Sequence, residues 1–140
     1  MSSGEVTFFI PIVPTPKGRP RTALRNGRPV IYTPKKTLDF ENFVKTWLSI
    51  RVKKPIETGV ILHLEFNFVP PKSWTKKKKT EALRIDSRHT IKPDLDNLEK
   101  SVMDAAEGVL YLNDCQVWQK SSVKRYSEQA GIRIDIKTMS

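Results

Sequence analysis

Val60-Ile61-Leu62-His63-Leu64-Glu65-Phe66-Asn67-Phe68 alternates without a break. Val60, Leu62, Leu64, Phe66 and Phe68 point one way, and Ile61, His63, Glu65 and Asn67 the other. A period of two belongs to an extended strand with one face against a core. Upstream, Thr37 to Arg51 spaces Phe40, Phe43, Val44, Trp47 and Leu48 at helical intervals, with Asp39 and Glu41 in the first turn. Further back, Val6 to Val13 (VTFFIPIV) reads as a strand for which Pro11 marks an edge or an end. Downstream, Asp94 and Asp96 lead into a helix with Leu98, Val102, Ala105 and Ala106 on one stripe, and Gly108-Val109 resembles a Schellman ending. Residues 116–126 and 131–137 read as two strands joined by a short loop. The order strand, helix, strand, helix, strand, strand, with no repeat, predicts an α+β fold. It is expected as a single domain over residues 1–140, a small mixed sheet of about four strands with two main helices.

The chain has 140 residues, 38% of them hydrophobic and 29% charged, enough to bury a core without staples. One cysteine excludes a disulfide framework, and with two histidines it leaves no ordinary zinc-site spacing. Met1-Ser2-Ser3-Gly4-Glu5 lacks the basic start and apolar run of a signal peptide, and no stretch reaches membrane-spanning length. The expectation is a cytoplasmic protein with no membrane partner and no small-molecule cofactor.

The net charge is +10, and it is concentrated. Residues 17–36 carry +7 with no acidic residue, and residues 72–92 carry +6, so the rest of the chain is mildly acidic at −3. Both segments read as loops (14–36 and 70–92), because Pro14, Pro16, Pro20, Pro29 and Pro34 break the first, and Pro70, Pro71 and Pro93 bound the second. Two basic loops on one small body point to nucleic-acid backbone contacts, with Lys17, Arg19, Arg21, Lys35, Lys36, Lys72, Lys76, Lys77, Lys78 and Lys92 as the candidates. The plainer reading of Lys76–Lys79 is a solvated face.

Between these cations lies Lys92-Pro93-Asp94-Leu95-Asp96-Asn97-Leu98-Glu99-Lys100. In extended chain Asp94 and Asp96 share a face while Leu95 turns to the core. Two adjacent carboxylates repel unless a cation sits between them, and Mg2+ takes one or two carboxylates together with water and phosphate oxygens. That is the donor set of metal-assisted phosphodiester hydrolysis. The alternative is that Asp96 or Asn97 caps the helix and Asp94 is solvated. A third carboxylate, Asp114, follows. A helix over residues 97–107 rises about 16 Å, and the seven residues after it span about 23 Å when extended, so a return of Asp114 to the helix start is feasible. Lys100, one turn after Asp96, is placed to stabilise charge on a phosphate, or is a surface lysine paired with Asp96 or Asp104.

Lys92–Leu98, Asp104-Ala105 and Leu112-Asn113-Asp114-Cys115-Gln116-Val117 resemble the core signature of the RusA family of Holliday junction resolvases. Pro16-Lys17-Gly18-Arg19-Pro20-Arg21, Tyr32-Thr33-Pro34-Lys35-Lys36 and Pro71–Lys78 extend the resemblance, to the longer phage and prophage type. It implies a homodimer that cleaves four-way DNA by paired symmetric nicks in recombination and repair, using Mg2+ with Mn2+ as a substitute. Asp94, Asp96 and Asp114 match the family's catalytic, metal-binding aspartates, and Lys100 its functional lysine. One departure is Asn113, where the family usually has an aspartate. The competing class is a non-catalytic nucleic-acid binding module. Trp74 either stacks on a base or packs against the loop base. His89 reads as solvated and outside the catalytic set, and His63 and Cys115 as structural.

Overall fold

The computed structural model describes residues 4–138; Met1–Ser3, on which part of the signal-peptide expectation rested, lie outside them. In chain order the elements are β1 (Gly4–Ile10), β2 (Arg21–Arg25), β3 (Arg28–Tyr32), α1 (Lys35–Arg51) and β4 (Val60–Phe68). Then come α2 (Lys76–Ala82), α3 (Leu95–Ala106), a single 3-10 turn at Asp114–Gln116, β5 (Val117–Tyr126) and β6 (Gly131–Thr138). Four strands form a mixed sheet in the order β1-β6-β4-β5. β6 runs antiparallel to both β1 and β4, whereas β5 runs parallel to β4. A parallel pair needs a crossover connection, and residues 69–116, which include α3, supply it.

The alternation of β4 does what a period of two demands. Val60, Leu62, Leu64 and Phe66 are buried, and Leu62, Leu64 and Phe66 stand opposite Ile136, Ile134 and Ile132 of β6. Phe40, Val44 and Leu48 of α1 and Leu98, Val102, Ala105 and Ala106 of α3 join them in one cluster with Leu110 and Tyr111. Each fully buried Leu or Ile contributes about 1.5–3 kcal/mol, so this layer of helices on sheet holds the fold. β1 ends at Ile10, before Pro11, and lies at the sheet edge, where a missing N–H costs least.

Four expectations need correction. Residues 14–36 are not all loop: β2 and β3 pair as an antiparallel hairpin with Arg25 opposite Arg28. Asn26 and Gly27 take φ 51° and 75° in its turn, the left-handed pair that a two-residue hairpin requires. Pro29 is tolerated because a two-stranded ribbon has only edge strands. Residues 70–92 contain α2, started by Thr75, whose hydroxyl accepts from the Lys78 N–H at 3.1 Å. α1 begins at Lys35 instead of Thr37; Thr37 is buried, and its hydroxyl accepts from the Gly18 N–H at 3.0 Å. Finally, α3 does not end in a Schellman motif. Glu107 is extended and Gly108 has φ 83°, with the Val109 N–H on the Ala106 carbonyl at 3.1 Å, which is a type II turn. Among the described residues no helix is long and apolar enough to cross a membrane.

Candidate functional site

The start of α3 is fixed from three sides. Leu95 and Leu98 pack into the core. The Lys17 backbone N–H donates to the Asn97 carbonyl at 3.1 Å. The Lys124 ammonium of β5 donates to the Ile91 and Pro93 carbonyls at 2.6 and 2.9 Å. Asp94 stands at the cap position, yet its side chain makes no capping hydrogen bond, so its carboxylate is not spent on the helix. Because α3 already begins at Leu95, the shared-face argument for Asp94 and Asp96 does not hold. Asp94 stands at the helix cap and Asp96 lies in the first turn, both exposed, and residues two apart on a helix do not face each other.

Asp94 lines a cleft of about 480 Å³ with Asn97, Pro93, Lys92 and Lys36. An adjoining hollow of about 410 Å³ shares Lys36 and adds Lys17, Arg19 and Arg21. Cations from both basic segments therefore border the same acidic side chain. Lys35 and Lys36 also line a third hollow with Ile12, Val13 and Thr15. Lys100 is exposed and makes no ion pair among the described residues, so its pairing with Asp96 or Asp104 is not seen.

Asp114 is elsewhere. The chain after α3 does not extend but coils: Gly108 N–H donates to Tyr111 O at 2.7 Å and Leu110 N–H to Ala106 O at 2.8 Å. The reach that would return Asp114 to the helix start is consumed in these turns. Asp114 stays by the last turn of α3, its N–H on the Glu107 carboxylate at 3.0 Å, and its Oδ1 is buried without a hydrogen-bond partner. Burial, then the Glu107 and Asp104 carboxylates, push its carboxyl above the usual carboxylate range. The buried Tyr111, whose hydroxyl donates to the Met103 carbonyl at 3.1 Å, is driven upward by burial and then by Asp114. Among the described residues no three His, Cys, Asp or Glu side chains stand close enough to hold a metal ion. One chain does not assemble the three-aspartate site.

Lys17 is a second correction. Its ammonium is turned inward against Glu41 of α1 and Asp104 of α3, the latter at 3.1 Å. Burial works against its charge, but the bonds to both carboxylates outweigh it and raise its pKa. It ties the first basic segment to both helices instead of facing solvent.

The second basic segment is anchored by aromatic stacking. Lys78 lies 4.1 Å over the Trp74 ring, Trp74 packs on Tyr126 at 5.3 Å, and His89 sits between Tyr126 (4.5 Å) and Phe68 (4.7 Å). Phe68 is also a wall of the Asp94 cleft. Trp74 thus packs against its loop base, and His89 is buried, not solvated. Lys72, Lys76 and Lys77 are exposed at this end. His63 bonds Ser121 across the sheet at 2.6 Å, a structural role, while Cys115 is exposed and free. Lys124 was missed by sequence reasoning; a lone lysine in a strand carries no signal until the strand is placed beside residues 91–93.

Comparison with known proteins adds two findings. The family model described as Endodeoxyribonuclease RusA matches residues 11–137. A Bacillus subtilis (strain 168) protein described as uncharacterized protein YqaN is 35% identical over 138 residues, covering 96% of this chain and 97% of its own.

Proposed function

The chain belongs to the RusA endodeoxyribonuclease family, and from that premise we propose that it resolves four-way DNA junctions by paired symmetric nicks, acting in the cytoplasm as a homodimer. The observation that carries this reading is the cleft in which Asp94 shares walls with Lys36 and Lys92, one cation from each basic segment. A phosphodiester drawn in by those cations meets the carboxylate of Asp94 in the cleft, with Asp96 exposed two residues along.

The donor set of these two side chains suits Mg2+, with Mn2+ as a substitute, because such an ion takes one or two carboxylates and completes its shell with water and phosphate oxygens. The ion supplies charge neutralisation at the phosphate and a more acidic water. Among the described residues of one chain the third aspartate does not join Asp94 and Asp96 in a metal-holding group. Lys36 and Lys92 orient the DNA backbone, Lys100 adds positive charge one turn beyond Asp96, and Lys124 holds the peptide leading to Asp94. The dimer provides two equivalent sites for the near-symmetric branch. Water then displaces the 3′ oxygen from phosphorus, leaving 5′-phosphate and 3′-hydroxyl ends.

The separation of Asp114 from Asp94 and Asp96 in one chain favours a second reading, a binding module without turnover. One assay separates the two. A labelled four-way junction is incubated with wild type and with Asp96→Asn, in Mg2+ and in EDTA. Symmetric nicks are expected for wild type with Mg2+ alone. Binding without nicks under every condition establishes the second reading.

A further inference from the structure

The β2–β3 hairpin stands apart from the main sheet, and all ten residues of its strands are exposed. A lone two-stranded ribbon is marginal in water, so an exposed one needs a reason. Its register sorts the side chains onto two faces. Arg21 pairs with Tyr32, Ala23 with Val30 and Arg25 with Arg28, which gathers three arginines and a tyrosine on one face. Thr22 pairs with Ile31 and Leu24 with Pro29, which makes the other face apolar. Leu24 is 77% and Ile31 76% exposed. Arg25 directly opposite Arg28 is a repulsive cross-strand pair, relieved by an anion between them. No acidic residue lies between 17 and 36 to provide it.

We propose that this ribbon is a DNA arm that enters a groove of the substrate and wedges Leu24, Pro29 and Ile31 against the base stack beside the branch. The assignment rests on the junction-nuclease reading and extends it to how the branch is opened. Five residue pairs make an arm about 17 Å long, ample for the major groove, which is about 8.5 Å deep and admits a two-stranded ribbon. Leu, Ile and Pro are the wedges with which minor-groove proteins unstack and kink DNA, and on this ribbon they occupy the face opposite the arginines, so that one face meets bases while the other holds phosphate.

The test uses the full chain and a four-way junction carrying 2-aminopurine next to the crossover. Wild type is expected to raise its fluorescence as the base unstacks. The Leu24→Ser, Ile31→Ser double variant is expected to keep wild-type melting temperature and linear-duplex affinity while losing that rise. The triple variant Arg21→Gln, Arg25→Gln, Arg28→Gln is expected to lower the salt slope of junction binding by about 2.7, at about 0.9 per phosphate contact. A full fluorescence rise in the serine variant, an unchanged slope in the glutamine variant, or a change in oligomeric mass of either free variant overturns the assignment. If wild type itself neither prefers nor nicks the junction, the nuclease reading falls, and the ribbon's role falls with it. That outcome is recognised before any ribbon residue is altered.

Discussion

Replacing Lys17 by methionine tests whether the first basic segment is held by an internal ion pair or faces DNA. The ammonium is 24% exposed, Glu41 14% and Asp104 33%. Removing the cation leaves two carboxylates facing each other, with the Asp114 carboxylate already repelled by Asp104. Fully buried pairs cost about 3–5 kcal/mol to break in this way, and exposed ones about 0.2–1 kcal/mol. With solvent reaching a quarter of the site, the expected loss is about 2 kcal/mol. For a chain of this size that is a fall in Tm of about 7 °C. The Lys17 pKa is raised, so its contribution is complete below the unfolded value near 10.5 and is lost only as pH rises through the higher folded value. The deficit should therefore be the same at pH 6 and pH 8. Adding Asp104→Asn to Lys17→Met should recover part of it, because one uncompensated carboxylate disappears. Urea denaturation of the two single variants and the double variant measures the coupling. If Lys17→Met costs less than about 0.5 kcal/mol and lowers the salt slope of DNA binding by about one, Lys17 is a phosphate contact and the reasoning is wrong.

Three further outcomes are expected. Asp94→Asn should bind the junction at least as tightly as wild type, having lost a negative charge beside phosphate, while nicking disappears; gel shift and cleavage assays on one preparation check both, and full nicking contradicts the carboxylate's role. Lys124→Met removes the bonds to Ile91 and Pro93 that set the approach to Asp94, so kcat should drop about tenfold for a displacement of a fraction of an ångström. KM should move little and Lys124→Arg should restore part of the rate; an unaltered kcat argues against the positioning. Burial, and then the Lys124 charge, hold the His89 imidazole below its ordinary pKa of 6.5. The stability from keeping it neutral is present above pH 6.5 and is lost as pH falls through the folded value. Tm measured from pH 8 to 5 should therefore fall more steeply for wild type than for His89→Phe, and parallel curves would refute it.

What the sequence discloses follows from how strongly each segment constrains itself. The strand Val60–Phe68 and the stripe Leu98, Val102, Ala105, Ala106 are legible because burial imposes a period that any window displays. The β2–β3 hairpin has no buried face and hence no such period. Its signal was the Asn26-Gly27 turn, hidden among prolines that argued for loop. The Thr75 cap marks α2 in the same local way, but four lysines read first as charge. The acidic pair at 94 and 96 is legible as the exposed start of a helix. The position of Asp114 is not, since chain length bounds only how far a segment can reach, and the hydrogen bonds of residues 106–113 decide how much of that length is used. Lys17 was misread because a cation among cations looks solvent-facing until Glu41 and Asp104, remote in sequence, are brought beside it.

The place of β6 between β1 and β4 has a kinetic consequence. It is the last strand in chain order, and its contacts with β1 join residues as far apart as Gly4 and Thr138, 134 positions along the chain. Pairings of such long span carry a large loop-closure cost, which slows the search for the native state. Until β6 docks, β1 has no neighbour and β4 lacks one of its two, and their open backbone groups invite pairing with other molecules. Refolding yield should therefore fall as protein concentration rises.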